Sequence, residues 1–411
     1  MLTNYLKIAY KVLLRQKFFT IVSLFGISIT LTIIFVVVAM LDSAITPGGR
    51  GSKLARSLYI EQISLEGENL SINSSPSYAL LDRHVRALKT PEVVAIHSSN
   101  RSTTVYVGSN KVELQLKYAD AAFWDIVEFE FVEGAPYNSN QVINAEAVAV
   151  ISDRARNEVF GKRPVAGEYL ETTSGIFRVV GVVPVDQMPG QSVFADIWVP
   201  ITQSTAITAG IEPYGSEMAI VLPASSGDHE AIKQEFETHM DAVRAEVAGK
   251  YHTVKCSLSS PLEMMAYEFF GGTDASAALL ITLVIGLIIL FMILPAMNLV
   301  TMTVSRIYER SSEIGVRKAF GASASTLVGQ FVVENVLLTL VGGALAVVLS
   351  LIVLGILNGS GVMPYTHFSL NMYVLFYGVV TSLFFGVFSG VLPAYRMSRL
   401  HPVQALRGVT T

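Results

Sequence analysis

Between two long apolar stretches, residues 305–323 read SRIYERSSEIGVRKAFGAS, and six of these 19 residues are charged: Arg306, Glu309, Arg310, Glu313, Arg317 and Lys318. The spacing suits a short docking helix. Ile307, Ile314 and Gly321 recur every seven residues, Val316 and Phe320 are four apart, and charges fill much of the remainder. Arg306/Arg310 and Glu309/Glu313 form like-charge rows. They are offset by Arg306 with Glu309, and by Glu313 with Arg310 and Arg317, at i, i+3 and i, i+4. Gly321 allows the chain to leave the helix and turn. An ordinary basic loop between two spans would have a similar composition, and the residues alone leave both readings open.

Other chemistry is thinly represented. A nucleotide-binding P-loop needs GxxxxGK[ST], whose backbone N–H groups cradle phosphates while the Lys reaches them. The Gly-Lys pairs are Gly161-Lys162 and Gly249-Lys250, followed by Arg163 and Tyr251, and GGRGSK (48–53) has the composition but not the spacing. No ATP hydrolysis is expected from these residues. Cys256 is the only cysteine, which excludes an intramolecular disulfide and a thiolate metal cluster. The seven histidines show no paired ligand spacing, so they read as surface or core residues. The carboxylates of the large middle segment read as solvated surface groups. No catalytic set, cofactor or metal site is expected on this chain.

The surrounding elements are membrane-like. The chain is 51% hydrophobic and 15% charged, with a mean hydropathy of +0.50, against about 25% charged in an average soluble domain. Phe18–Leu41 carries no charge, and about 20 apolar residues span a bilayer. A cleaved signal peptide is the competing reading, but its apolar region would be only about 7–15 residues long. Further charge-free stretches place spans at 275–304, 327–357 (interrupted only by Glu334) and 372–393, making four transmembrane helices.

Basic residues orient them. Lys7, Lys11, Arg15 and Lys17 precede the first span, 305–323 holds four Lys/Arg, and Arg396, Arg399 and Arg407 follow the last. The loop 358–371 holds none. The positive-inside rule then puts residues 1–17, the 305–323 segment and the tail 394–411 in the cytoplasm. Residues 42–274, with 18 basic and 30 acidic residues, lie outside.

That outer segment reads as α+β. A Gly-rich linker precedes strand candidates at 57–65, 93–98, 103–108 and 111–119. A helix is expected over 76–89, with Pro76 in its first turn. AAFWDIV is a short helix candidate. A strand at 147–152 leads into a helix capped by Ser152 or Asp153. Residues 176–185 form a buried strand, and 226–247 a long helix capped by Ser226 or Asp228 and flanked by MAIVLP and HTVKCSL. The expected fold is two β-α-β halves (about 57–119 and 215–260) with an α/β subdomain, about 120–214, inserted between them.

Several intramembrane residues stand out. Gly378, Ser382, Gly386 and Gly390 repeat every fourth position, and Gly26/Thr30 with Ser28/Thr32 make a similar stripe. Small residues let helix backbones approach closely, either within one protomer or across a dimer. Pro295 is expected to kink the second span. Glu334 is an ionisable group in an apolar run, a functional hypothesis by default. It could equally lie near the cytoplasmic interface or pair with Asn298.

The segment SEIGVRKAFGAS resembles the cytoplasmic signature of MacB/FtsX-type ABC transporter permeases, with Glu313, Ile314, Gly315, Arg317, Lys318, Ala319, Gly321 and Ala322 filling it. QFVVENVLLTLVGGALA (330–346) is similar to the family's third helix. PAYRMSRLHPVQALR (393–407) is similar to its C-terminal signature, departing at His401 and Gln404, where acidic residues are usual. DIVEFEFVEGAPYN with AVAVISDRARNEVFGKRPVAGEYLETTSGIFRVVGVVPV resembles the MacB-type periplasmic core domain, and YKVLLRQKFFTIVSLFGISI resembles the first helix.

The resemblance implies a multi-pass inner-membrane permease with a periplasmic domain. It makes 305–323 a coupling helix that docks in a cytoplasmic ATPase, so that ATP and Mg act through that partner. It implies a second permease copy, with the first two spans at the dimer axis, or a heterodimer. Surrounding lipid is expected, and no nucleic acid. A periplasmic adaptor and outer-membrane duct would make the system an efflux pump for peptide- or antibiotic-like amphiphiles. Lipoprotein release and FtsX-like signalling to envelope hydrolases use the same parts, whereas a membrane enzyme lacks a catalytic set.

Overall fold

The computed structural model describes residues 2–15, 17–49, 51–184, 192–205, 212–271, 276–309, 316, 324–360, 368–370 and 372–398. The chain divides into a helical unit, drawn from residues before Ser43 and after Ala277, and an α+β unit, Ser43–Ala277.

The helical unit begins with α1 (Leu2–Arg15) and α2 (Lys17–Ile45). In α1, Ala9 is buried and Lys7, Lys11 and Arg15 are exposed, so the basic N-terminal segment is an amphipathic helix in its own right. Thr20 Oγ1 donates to Leu13 O (3.0 Å), fixing α2 to the end of α1.

The α+β unit opens with α3 (Lys53–Arg56). Ser52 caps it by accepting from Ala55 N. Next come β1 (Leu58–Ile60), β2 (Ile63–Glu66) and β3 (Ser71–Pro76). The single strand expected at 57–65 is therefore two strands, parted at Glu61-Gln62 and lying in different sheets.

The helix expected over 76–89 is also shorter. Pro76 ends β3, and Ser77 caps α4 (Tyr78–Leu80) by accepting from Leu80 N. The helix then passes into a π-helical turn, Leu81–Val85. Ser77 has the extended backbone a cap requires, so the helix starts after it rather than at the proline.

The next strands match their expected positions closely: β4 (Val93–Ser98), β5 (Arg101–Val107) and β6 (Asn110–Ala119). They are followed by α5 (Ala122–Val127), β7 (Glu133–Gly134), α6 (Ser139–Ile143), β8 (Val148–Ser152), α7 (Asp153–Phe160), β9 (Tyr169–Thr172), β10 (Gly175–Val183) and β11 (Ile197–Pro200). Ser152, not Asp153, caps α7.

The unit closes with β12 (Tyr214–Gly215), β13 (Glu217–Leu222), α8 (His229–Val247), β14 (Thr253–Cys256) and α9 (Pro261–Phe269). Neither Ser226 nor Asp228 caps α8 through its side chain. Ser225 caps the short 3-10 turn before it, in a reciprocal box with Asp228. The box forms one residue earlier because Ser225 is extended while Asp228 is already helical.

Strand pairing knits the beginning and end of the unit together. One sheet runs β1-β13-β4-β6-β11-β8-β10-β7, with β5 on β6 and β9 on β10, and a second runs β12-β3-β2-β14. β11 is parallel to β6 and antiparallel to β8, so strands from 120–214 extend the sheet built by the flanking segments. The apolar alternation of these strands feeds a single core. At its centre Trp124 packs edge-on against Tyr137 (5.3 Å) and Trp198 (6.0 Å). The single Tyr137 O–H lies between two carbonyls, Ala119 O (3.0 Å) and Val199 O (3.2 Å), and ties the ends of β6 and β11 together.

The helical unit resumes with α10 (Ala277–Glu309), α11 (Ala324–Gly359) and α12 (Met372–Ser398). Among the described residues, Lys17–Ile45 and Val328–Gly359 are long and apolar enough to cross a membrane, and Ala277–Ile293 is a shorter apolar stretch. On α2, Ser23, Ile27, Leu31, Phe35 and Ala39 are buried at every fourth position. Thr32 Oγ1 donates to Ser28 O (2.7 Å) and lies 3.4 Å from Ala346 O of α11. α11 packs on α12 and on α1. Asn358 at the end of α11 both donates to and accepts from the backbone of Phe368.

Candidate functional site

The charged segment begins on a helix. α10 continues past the expected end of its span to Glu309, so Arg306 and Glu309 occupy its last turns. Arg310, Glu313, Ile314, Gly315, Arg317, Lys318 and Gly321 lie outside the described residues. Pro295 and Asn298 fall within the helical backbone of α10.

Glu334 sits on the buried face of α11, 3% exposed, with buried Gln330 one turn before it and Asn335 and Thr339 after it. Thr339 Oγ1 donates to Asn335 O (2.8 Å). A polar cluster in this apolar bundle is sheltered by protein rather than set on the outer surface of the helix.

The small-residue stripes have close neighbours within the protomer. Gly378 of α12 faces the Phe35 ring of α2, where a Cβ would collide with it. A Cβ on Gly386 would stand 2.6 Å from Thr339 Oγ1, and one on Gly342 of α11 would stand 2.7 Å from Ile27 Cγ2. Ser382 and Gly390 lie on the same helix, and Gly26 is half-buried on α2.

Charge inside the α+β unit escaped the sequence reading. Asp120, Asp196 and Glu217 are buried, not solvated. Asp120 accepts from Ile96 N, Phe123 N and Arg86 Nη2, each at 3.0 Å. Asp196 accepts from Gln115 N (2.9 Å), joining β6 to the chain before β11. These acids replace lost water with several donors.

A second set, in which His97 and Lys117 are buried and Glu61 is half-buried, crosses four strands. Met218 of β13 is opposite His97 of β4, and His97 is opposite Ala119 of β6. Lys117, two residues before Ala119, therefore shares that face. Tyr59 of β1 is opposite Ile220, so Glu61, two residues on, comes level with Met218 on the same face. Lys117 is 2% exposed and its Nζ donates to Ser192 O (2.5 Å). Burial lowers the Lys117 pKa to about 7, with Glu61 opposing the shift. Burial raises Glu61 to about 6; Glu268 raises it further and Lys117 opposes. His97 is lowered to about 3 by burial and by Lys117, so it stays neutral.

Residues 20–239 match the family model of the MacB-like periplasmic core domain, and residues 276–402 match that of the FtsX-like permease C-terminal domain. The macrolide export ATP-binding/permease protein MacB of Escherichia coli (strain K12) is 27% identical over 419 residues, covering 98% of this chain and 60% of that protein. MacB of Shigella flexneri is similar to the same extent. The chain thus spans 60% of the length of these curated relatives.

Among solved structures, the periplasmic region of MacB from Actinobacillus actinomycetemcomitans is 13% identical with a TM-score of 0.38, covering 52% of this chain and 92% of that one. The extracellular domain of the noncanonic ABC-type transporter YknZ from Gram-positive bacteria is 13% identical with a TM-score of 0.36, covering 48% and 98%. The core-domain match takes in more than half of the 411 residues, and the chain belongs to the family of MacB/FtsX-type ABC transporter permeases.

Proposed function

We propose that this chain is the permease subunit of an ABC system in which a partner ATPase in the cytoplasm supplies the energy. The observation that carries the reading is the pairing, in one chain, of a MacB-like core domain with an FtsX-like permease domain. The printed sequence holds no GxxxxGK[ST], whereas the curated relatives are named as ATP-binding as well as permease proteins. In this reading α2, α10, α11 and α12 are four membrane spans with both termini cytoplasmic. Segment 120–214 is an insert that enlarges the periplasmic sheet.

Residues 305–323 would dock in the ATPase. A mixed-sign face of Arg306, Glu309, Arg310, Glu313, Arg317 and Lys318 sets the register on the partner, with Ile314 as an apolar anchor. Two ATP-driven positions of the partner then bias two arrangements of the helices, and the periplasmic domain follows. The macrolide export named for the relatives favours efflux of antibiotic- or peptide-like amphiphiles, with an adaptor and an outer-membrane duct as further partners and a second permease copy completing the transporter.

Affinity capture of the full chain from its own membranes tests the assembly. Co-purification of an ABC ATPase with an adaptor and duct supports efflux. Capture of a lipoprotein chaperone or a cell-wall hydrolase, in place of the adaptor, would contradict it.

A further inference from the structure

The first 41 residues hold four basic side chains, Lys7, Lys11, Arg15 and Lys17, and no Asp or Glu. Three of them form a row on α1. At about 100° per residue, Lys7, Lys11 and Arg15 cover about 80° of the helix surface, and Ala9 and Leu13 lie on the opposite side. That opposite side is seated on protein. Ala9 is buried, Leu13 packs against the cluster that includes Ile27, Leu31 and Leu338, and α1 rests on α11. Lys7, Lys11, Arg15 and Lys17 are exposed, and none is paired with a carboxylate among the described residues.

The row stands where the first apolar helix begins. A helical Thr hydroxyl ordinarily reaches back three or four residues. Thr20 Oγ1 reaches back seven, to Leu13 O, so the chain bends between α1 and α2. Around this bend three large apolar side chains are exposed: Leu14 beside the basic row, and Phe18 and Ile21 in the first turns of α2. Cations and open apolar surface thus adjoin. Apolar surface alone would suit any acyl chain, and cations alone any soluble anion. Together they match an amphiphile with a negative head.

We propose that Lys7, Lys11 and Arg15, with Lys17 at the start of α2, form a docking row for anionic phospholipid in the leaflet where α2 begins. Headgroup phosphates lie on the cations, and acyl chains run along Leu14, Phe18 and Ile21. The long Lys and Arg stems lie on apolar surface while their charges reach the headgroups. Lipid bound in this way pins α1 at the bilayer surface and holds it on α11. The proposal rests on α2 being a membrane span, and not on the ATPase or on transport.

Native mass spectrometry of the full chain tests the row, with the chain released from micelles that hold equal amounts of phosphatidylglycerol and phosphatidylcholine of matched acyl chains. The wild type should carry phosphatidylglycerol in preference. Each cation near an anionic surface is worth a factor of about five. Lys7→Gln with Lys11→Gln should therefore lower the preference at least about tenfold, and adding Arg15→Gln should bring the two lipids near parity. Lys7→Arg with Lys11→Arg keeps the charge and should keep the preference. These positions are exposed, so the variants should keep the wild-type melting temperature. Gln at three exposed basic positions of the α+β unit, Arg83, Lys111 and Arg163, should change nothing. Glycerol phosphate, a head without chains, should not displace the lipid. Equal binding of the two lipids by the wild type, a preference that the triple variant keeps, or displacement by glycerol phosphate would overturn the proposal. Release of the chain from membranes by alkaline carbonate would instead overturn the span on which it rests.

Discussion

Arg86 Nη2, just after the π-helical turn that follows α4, lies 3.0 Å from Asp120 Oδ2 at the end of β6, and the same carboxylate accepts from the backbone of β4 and α5. One ion pair thus joins three elements around a buried acid. Burial still raises the Asp120 pKa above the ordinary carboxylate value, although these bonds and Arg86 oppose the shift.

A carboxylate with a raised folded pKa binds its proton more tightly folded than unfolded. Its contribution to stability therefore declines as pH rises from the unfolded value, about 3.9, through the folded one. Arg86→Met removes the opposing charge and should raise that pKa further. The variant should lose about 1–3 kcal/mol at pH 7.5, and the deficit should shrink towards pH 5. Chemical denaturation at the two pH values measures this, and an equal deficit at both would contradict it.

Gly378 and Gly386 decide between packing within the protomer and a dimer face. Gly378→Ala drives a methyl into Phe35, and Gly386→Ala drives one into Thr339. Overpacking of this kind costs about 1–3 kcal/mol. Both variants should melt at lower temperature with the oligomer distribution unchanged, and Phe35→Leu should restore part of the loss in Gly378→Ala. Dissociation of an oligomer without loss of melting temperature would assign the stripe to a dimer face.

Tyr59 anchors the segment after α3. Tyr59→Phe removes one of two donors to Leu54 O, which keeps the Ser57 N–H, so the cost is that of one hydrogen bond, about 0.5–1.5 kcal/mol. The melting temperature should fall accordingly. An unchanged value would show that the hydroxyl contributes nothing at this junction.

Much of the fold was legible because burial and period coincide. VVAIHS reads as a strand and is β4, and the apolar run at 147–152 is β8. The buried charges were not legible, for a definite reason. In KVELQLKYA, alternation assigns Lys111, Glu113, Gln115 and Lys117 to one polar face, which reads as solvated. The structure leaves Lys111 and Glu113 in water but buries Lys117 among β4, β11 and Ser192. Only non-local pairing distinguishes the two ends of that strand. Pro76 misled for a similar reason. It suits a helix start, yet pairing with Tyr214 makes it the last residue of β3. Of the charged segment, Arg306 and Glu309 were placed by sequence just beyond a span and are found in the last turns of α10.

The proposed coupling is tested most directly by ATP hydrolysis in a reconstituted system of this chain and its partner ATPase. Stimulation of the ATPase by the wild-type chain should be lost, at least tenfold, when Glu313→Lys and Arg317→Glu are combined, while the variant keeps its melting temperature and the isolated chain binds no nucleotide. Full stimulation and unchanged co-purification by that folded variant, or nucleotide binding by the isolated chain, would contradict the account.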